Sequence, residues 1–268
     1  HLHFTHFAVH RPLEAKAEKV KKYTDKASRL PAQTVQEQYL TERNSLVKTR
    51  QDHPVFASML ESVDESFGAL IDKLAAQGKL VNTLIIFTSD NGGLSATLNS
   101  RRDIELPTSE LPLRTGKGWV YEGGIRVPLL IGWAGKVTPG VDSLQRVVGT
   151  DLYPTVLDML GVPARPEQHM DGISLAPLLT GTEGPQRESL YFHYPHYHPS
   201  GQTPASVLIE GDHKLIYWYE DQSLELYDLA ADLGETDNLA EQQPAKAAAM
   251  QQRLAAWLDR VSAQLPGK

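Results

Sequence analysis

The sequence predicts an α/β domain followed by a smaller α+β subdomain, and three observations support this prediction. Between Pro54 and Gly78, apolar residues recur at the i, i+3, i+4, i+7 spacing of a helix with one buried face. The segment 82–88 is short, apolar and rich in β-branched residues, which predicts a strand buried on both faces. From about residue 185, short strand patterns lead to one amphipathic helix. We therefore place a domain boundary between residues 184 and 185.

The other elements follow from the same periodicities and from turn residues. They are a strand at 2–9, a polar surface segment at 13–31, a helix at 34–49, an irregular stretch at 95–113, a strand at 127–133, a helix at 151–160, strands at 188–193, 205–210, 213–219 and 224–228, and a helix at 243–263 with Met250, Leu254, Trp257, Leu258 and Val261 on its buried face. A natural chain seldom begins inside a buried strand, so we expect this sequence to be part of a longer protein.

The composition bounds the function classes. The chain has 268 residues, of which 41% are hydrophobic and 22% are charged, which is enough apolar material for a sizeable core. The net charge of -7 disfavours nucleic acid as a partner, because phosphate binding needs a basic surface. No apolar run approaches the roughly 20 residues of a membrane span. The chain has no cysteine, which excludes disulfides within it.

A polar loop, 89–93, follows the predicted buried strand at 82–88. Ligands of α/β sheets bind beyond the carboxyl ends of strands, so this is a favoured position for a site. Asp90 and Asn91 offer a carboxylate and an amide oxygen, the hard ligands that suit Ca²⁺ or Mg²⁺. The alternative is an ordinary Asn-Gly turn.

Two further candidates carry ionisable groups. Lys117 lies between two glycines, where it could place a positive charge against a tetrahedral anion, although a solvated lysine in a flexible loop is the alternative. His10 ends the first predicted strand and could act as a general acid or base, or serve only as a hydrogen-bonded structural residue. The four N-terminal histidines do not suit zinc, because strand alternation divides them between two faces.

A third group of candidates is a loop rich in histidine and aromatic residues at 191–199. Its histidines are His193, His196 and His198. Rings and imidazoles together suit a sugar surface, whereas a packed junction between domains is the equally open alternative.

Three blocks of the sequence resemble the type I, formylglycine-dependent sulfatases. They are FTHFAVHRPLEA at 4–15, FTSDNGG at 87–93 and GKGWVYEGGIRVP at 116–128. Further blocks agree in the same order, at 150–155, 171–179, 226–229, 234–235 and 238–240. The resemblance covers nearly the whole chain, and so many blocks in family order make chance agreement very improbable.

The resemblance implies a fold, an activity and roles for single residues. The fold is an alkaline-phosphatase-like α/β sandwich with a smaller C-terminal subdomain, and the activity is hydrolysis of a sulfate ester. Asp90 and Asn91 match the second pair of calcium ligands. Lys117 matches the lysine that contacts the sulfate, and His10 matches the histidine that helps the leaving group depart. The loop with His196 favours a sulfated carbohydrate as substrate, with His196 among the residues that contact it.

The sequence also departs from the family pattern. The family's nucleophile is a formylglycine made from Cys or Ser in a Cys/Ser-x-Pro-x-Arg motif, and the nearest match, 109–114, has one residue too many before its proline. We therefore expect the formylglycine and the first aspartate pair of the Ca²⁺ site in a preceding segment. This chain alone should then be inactive. The resemblance also leads us to expect a periplasmic or secreted protein.

Two alternatives remain at this point. One is a phosphonate or phosphate ester hydrolase of the same superfamily. Its two-metal members usually place a histidine where Asn91 stands, so Asn91 favours one hard cation. The other is a non-catalytic, glycan-binding module, which would need no nucleophile.

Overall fold

The computed structural model describes residues 1–101, 103–184 and 186–267. Its helices are α1 (Ala17–Ala27), α2 (Val35–Gln38), α3 (Pro54–Ala76), α4 (Glu122–Ile125), α5 (Leu152–Met159), α6 (Ala176–Leu179) and α7 (Pro244–Arg260). Its strands are β1 (Tyr39–Glu42), β2 (Ser45–Lys48), β3 (Ile85–Thr88), β4 (Ala96–Leu98), β5 (Leu129–Gly132), β6 (Ser189–Tyr194), β7 (Ala205–Glu210), β8 (His213–Trp218) and β9 (Leu224–Asp228).

The chain divides into two compact units. The first contains His1–Gly68, Ser89–Val127 and Ser189–Lys268, and the second contains Ala69–Thr88 and Pro128–Glu188. All the predicted site residues belong to the first unit. The predicted domain boundary falls at Pro185, which lies outside the described residues, and it stays a prediction.

The first unit is built on two antiparallel sheets, one with the order β1-β2-β4 and one with the order β6-β7-β8-β9. The four-stranded sheet packs against an apolar cluster on each of its faces. Successive residues of a strand point to opposite sides, so neighbouring residues belong to different clusters. In β8, Leu215 lies in the apolar cluster formed with α7, whereas Ile216 and Trp218 lie in a second cluster with the segment 119–121. The sheet therefore has a helix side and a loop side.

The helix side is closed by α7. Its residues Ala247, Met250, Leu254 and Leu258 recur at intervals of three and four, and all of them are buried. Trp257 stacks on the ring of Tyr191 from β6 at 4.7 Å between centroids. Burying this stripe against the sheet is what holds α7 in place, since propensity alone seldom stabilises a helix.

The second unit contains the two-stranded sheet β3-β5 and the short helices α5 and α6. The fully buried carboxylate of Asp151 accepts hydrogen bonds from the backbone N–H groups of Val148 and Ile173, both at 2.9 Å. Arg187 completes this arrangement as an ion-pair partner. The carboxylate thus fixes three chain segments of this unit around one point.

Most of the predicted elements are confirmed. Helix α3 begins at Pro54 and is followed by Gly78, which has a φ of 66°, the left-handed conformation of a helix stop. Strands β5 to β9 and helices α5 and α7 lie within about two residues of the predicted ranges, except that α7 ends three residues earlier than predicted. The prediction placed Val261 on the buried face of α7, but Val261 follows the last helical residue and is 48% exposed.

Two predictions for the first half of the chain, the helix at 34–49 and the strand at 2–9, are wrong, and two others are incomplete. Residues 34–49 form one helical turn and the hairpin β1-β2 instead of a helix, because pairing of β2 with β4 outweighs local propensity. Residues 2–9 form no strand, since within the described ranges no segment pairs with them. Residues 13–31 contain α1, whose Lys19 is buried and bonds Glu65 of α3 at 2.5 Å. The stretch 95–113 is not wholly irregular, because it includes β4.

Strand β3 is shorter and less buried than predicted. It covers four residues, pairs only with β5 among the described strands, and its side chains are half-buried or exposed. A strand with one neighbour and no covering layers on both faces cannot be fully buried.

Over the described ranges, no helix combines the length and the hydrophobicity that crossing a bilayer would require.

The packing of α7 makes a quantitative prediction. Leu254→Ala removes a side chain that is 2% exposed, and we expect it to lower the free energy of unfolding by about 2–5 kcal/mol. Val261→Ala, at the exposed end of the same helix, should cost less than about 1 kcal/mol. Urea denaturation of both variants measures the difference. Equal losses for the two variants would contradict the packing described.

Candidate functional site

Two loops that are distant in sequence are joined through their backbones. The N–H of Lys117 donates to the carbonyl of Gly93 at 2.8 Å, and the N–H of Gly92 donates to the carbonyl of Gly124 at 3.1 Å. The loop that carries Asp90 and Asn91 therefore lies directly against the loop that carries Lys117. The predicted metal ligands and the predicted anion-binding lysine belong to one place.

Only glycine permits this junction. A Cβ on Gly92 would overlap the carbonyl oxygen of Gly123, so the two backbones could not approach as closely with any other residue. Gly118 has a φ of 87°, and a Cβ there would meet the ring of His198. The glycines predicted to favour ligand approach serve first to let backbone and an imidazole pack together.

The donor set of the first loop suits a hard cation. The amide nitrogen of Asn91 donates to the carbonyl of Gly92 at 2.8 Å, which leaves its Oδ1 as a free acceptor. Asp90 is exposed, and among the described residues its carboxylate has no hydrogen-bond or ion-pair partner. Carboxylate and amide oxygens are ligands that Ca²⁺ prefers, so the residues present fit it. Because Ca²⁺ takes about 6–8 oxygen ligands, they supply only part of its coordination.

No larger metal-binding group lies within the described ranges. No cluster of three or more His, Cys, Asp or Glu side chains converges there. The fit to a cation thus rests on Asp90 and Asn91.

A third segment, 198–203, is seated on the Lys117 loop. The indole N–H of Trp119 donates to the carbonyl of Ser200 at 3.2 Å, and the N–H of Val120 donates to Oε1 of Gln202 at 3.1 Å. Ser200 and Gln202 are both buried. These bonds place the ring of His198 against Gly118, immediately beside Lys117.

The other two predicted site residues, His196 and His10, are both exposed. His196 is exposed, and its ring packs edge-on against Tyr194 at 5.5 Å. His10 is exposed in a turn, where its Nδ1–H donates to the carbonyl of Arg11 at 2.7 Å. Within the described part of the chain, His10 makes no hydrogen bond, ion pair or ring contact with the loops of Asp90 and Lys117. The structure joins the loop of Asp90 and Asn91 to the loop of Lys117, and the roles of these three residues and of His10 and His196 stay predictions.

A buried ion-pair group fixes the far end of the Lys117 loop. The ammonium of Lys214 lies 2.9 Å from Glu122 and 2.8 Å from Glu235. The second oxygen of Glu235 accepts the backbone N–H of Glu122 at 2.7 Å. Lys214 is completely buried, so its charge is compensated only by these carboxylates. Burial raises the pKa of Glu235, and the charge of Lys214 opposes that effect.

Arg114 fixes the near end of the same loop. Its guanidinium binds both carboxylate oxygens of Glu42, at 2.7 and 2.9 Å, and donates to the hydroxyl of Tyr227 at 2.8 Å. It also donates to the carbonyl of Glu235 at 2.5 Å and stacks on Tyr121 at 4.1 Å. A planar, bidentate and stacked arrangement of this kind is specific to arginine.

Sequence reasoning missed His198 and the residues of the buried charge group. His198 was one of three histidines in the predicted sugar-binding loop, and nothing in the sequence separated it from His196. Lys214 had a weak signal, because it shares a strand face with Ile216 and Trp218, which predicts burial.

Comparison with known families and structures extends these observations. Residues 1–162 match the family model described as sulfatase, and residues 115–264 match the model described as the C-terminal part of N-sulphoglucosamine sulphohydrolase. A sulfatase of Formosa agariphila is 37% identical over 226 residues, which cover 76% of this chain and 39% of that protein. Human arylsulfatase A is 39% identical over 142 residues, which cover 53% of this chain and 26% of that protein.

Solved structures show the same likeness. The crystal structure of Ps i-CgsB with k-i-k-neocarrahexaose has a TM-score of 0.70 and 26% identity, covering 93% of this chain and 48% of that one. A structure in complex with its substrate, D-glucosamine-2-N,6-O-disulfate, has a TM-score of 0.64 and 26% identity, covering 80% of this chain and 41% of that one. The predicted alkaline-phosphatase-like α/β fold is confirmed. The chain spans less than half the length of each of these four relatives.

The buried ion-pair group makes a prediction about stability. Lys214→Met leaves two buried carboxylates without their cation, and we expect it to lower the free energy of unfolding by about 3–5 kcal/mol. Lys21→Met, on the exposed face of α1, should leave stability unchanged within error. Denaturant titration of both variants tests this. A loss no larger than that of Lys21→Met would show that Lys214 does not hold the loop.

Proposed function

Since the chain belongs to the sulfatase family, we propose that the full-length protein hydrolyses sulfate esters and that this chain supplies the sulfate-binding lysine and half of a Ca²⁺ site. The observation that supports this most directly is the junction of the Asp90 and Lys117 loops. Because the backbones of the two loops are hydrogen-bonded, the junction supports a shared site in which two hard oxygen ligands and a positive charge would face a divalent tetrahedral anion.

In this proposal Lys117 binds and orients the sulfate. Lys117 is half-buried in a loop that is fixed at both ends, by Arg114 and by Glu122. A charge held in position before the substrate arrives stabilises the transition state more than a mobile one, because little reorganisation accompanies the reaction.

His10 has the role of general acid in the proposal. Because Nδ1–H donates to the carbonyl of Arg11, the neutral ring has its lone pair on Nε2. Protonation at Nε2 gives an imidazolium that could pass this proton to the departing alkoxide, which is a poor leaving group without one.

Two groups absent from this chain complete the proposed site. Ca²⁺ held by Asp90 and Asn91 would act as a Lewis acid and a template for the sulfate oxygens. A formylglycine from another part of the protein would provide the nucleophile. The residues of this chain bind and orient the ester, neutralise its charge and supply a proton.

A sulfated carbohydrate is the substrate class that we propose. The solved relatives include one with D-glucosamine-2-N,6-O-disulfate as its substrate and one with k-i-k-neocarrahexaose bound. The aromatic loop beside Lys117 agrees with this choice, because Tyr194 and the exposed Tyr197 offer ring faces next to the site.

The role of Lys117 can be tested in the full-length protein. Lys117→Ala should lower kcat/KM for a sulfate ester by about 10²–10³, since one fixed electrostatic contact with the transition state is lost. Lys21→Ala, an exposed lysine on α1, is the matched control and should retain wild-type activity. Activity of Lys117→Ala within twofold of the wild type would remove Lys117 from the site.

The same assay separates the alternative functions. We expect hydrolysis of 4-nitrophenyl sulfate and of sulfated sugars, with D-glucosamine-2-N,6-O-disulfate and k-i-k-neocarrahexaose in the panel, to exceed that of phosphate and phosphonate esters. Preference for a phosphonate or phosphate ester would indicate the other hydrolase class. Binding of a sulfated sugar with no turnover of any ester would indicate a glycan-binding module.

The metal ligands give a further prediction. Asp90→Ala should raise the Ca²⁺ concentration for half-maximal activity by at least about tenfold, because a charged ligand is lost. Calorimetric titration with Ca²⁺ should show the same loss of affinity without turnover. Asp25→Ala, an exposed aspartate on α1, serves as the control. Unchanged Ca²⁺ affinity in Asp90→Ala would place the metal elsewhere.

A further inference from the structure

We propose that His198 contacts the carbohydrate part of the substrate, donating a hydrogen bond from Nε2–H to a sugar oxygen next to the sulfate held by Lys117. This inference rests on the proposed function and adds a specificity-determining residue to it. Three features of the structure support it, namely the position of the ring, its tautomer and its unused donor.

The position of the ring is fixed by its contact with Gly118 and by the backbone hydrogen bonds of its own loop. The imidazole lies so close to Gly118 that a Cβ there would overlap it, and Lys117 is the neighbour of Gly118. The backbone N–H of His198 donates to the carbonyl of Gln202 at 2.9 Å, and Gly201 donates to the carbonyl of His198 at 2.9 Å. Because Gln202 is itself anchored to Val120, the imidazole moves only with the Lys117 loop.

The tautomer follows from one backbone contact. The N–H of Ser200 donates to Nδ1 of His198 at 3.1 Å, so Nδ1 is an acceptor and the proton of the neutral ring is on Nε2. The hydroxyl of Ser200, at 2.9 Å from the same atom, is a second donor to it. The ring therefore presents an N–H donor on the side away from its own loop.

The ring is also kept neutral. Burial, and then the positive charge of Lys117, hold the pKa of His198 below its ordinary value. A proton on Nδ1 would in addition face the N–H of Ser200, which can only donate. A neutral donor of this kind suits a hydroxyl or an ether oxygen, whereas cations suit the sulfate itself.

The Nε2–H donor of His198 is not used within the described part of the chain. Within the described ranges, Nε2 of His198 has no hydrogen-bond partner, although the residue is half-buried. The ring of Tyr194 lies 6.3 Å away and adds an apolar surface on which a sugar face can rest. Nε2 is not among the buried atoms that lack a partner, so this donor is open to a ligand that has a polar group adjacent to its anionic one.

The experiment compares two sulfate esters on the full-length protein. The first is the sulfated sugar of the panel above that is cleaved fastest, and the second is 4-nitrophenyl sulfate, which has no sugar oxygen. We expect His198→Ala to lower kcat/KM for the sugar about five- to tenfold and to leave that for the aryl ester within twofold of the wild type. His198→Gln, which keeps an N–H donor at this reach, should recover much of the loss. His213→Ala removes a ring at the start of β8 that contacts Lys246 of α7, and this variant should match the wild type on both esters.

Two other outcomes of this comparison overturn the inference. An equal loss on both esters would mean that His198 acts on the sulfate or only supports the loop. No loss on either ester would mean that it does not contact the substrate. If the wild type cleaves no sulfate ester, the proposed function fails by itself. Calorimetric binding of D-glucosamine-2-N,6-O-disulfate then decides: affinity reduced in His198→Ala supports the contact, and equal or undetectable binding rejects it.

Discussion

The ammonium group of Lys214 lies in the interior of the first unit with two carboxylates around it, and the arrangement of the site depends on this contact. An ammonium removed from water is strongly unfavourable unless opposite charges and hydrogen bonds surround it. Glu122 belongs to the end of the Lys117 loop, Glu235 belongs to the segment after β9, and Lys214 belongs to β8. Moving any of the three away would leave a buried charge without its partner. The charge group therefore holds the end of the loop against the four-stranded sheet. The backbone of the Lys117 loop is thus held at this end by residues buried in the interior.

The two faces of the sheet β6-β9 stabilise different parts of the first unit. Its helix side buries the apolar stripe of α7 and supplies ordinary core stability. Its loop side buries Trp119 and Tyr121, whose rings pack with Trp218 at 6.4 and 5.7 Å. Aromatic packing and the charge group hold the same loop. The packing depends little on the orientation of the groups, whereas the ion pairs require defined distances and directions. Together they fix the backbone of the loop that carries Lys117.

Sequence reasoning succeeded where one residue pattern dominates and failed where distant partners decide. The heptad-like spacing of α3 and α7 and the alternation of β6 to β9 are local properties, so these elements were predicted correctly. Residues 34–49 carry a local helical signal, but β2 finds β4 about fifty residues away, and that pairing is invisible in a single sequence. The same holds at the site. The motif around Asp90 and Lys117 was recognisable, whereas the choice of His198 over His196 depends on the turn at Ser200, which orients one ring toward Gly118 and leaves the other in solvent.

The contacts of Arg114 and Glu122 with Glu235 have a consequence for biosynthesis. They join residues 121 and 113 positions apart, so these partners of the loop are made more than a hundred residues after it. When residue 130 has been added to the nascent chain, Lys117 and its glycines have already been made, but the groups that fix them have not yet been translated. Long-range closure of this kind is slow, and the aromatic residues of the loop stay uncovered until it occurs. The nascent protein therefore passes through an interval in which this loop is exposed, and the length of that interval depends on the order of the sequence rather than on the stability of the finished fold.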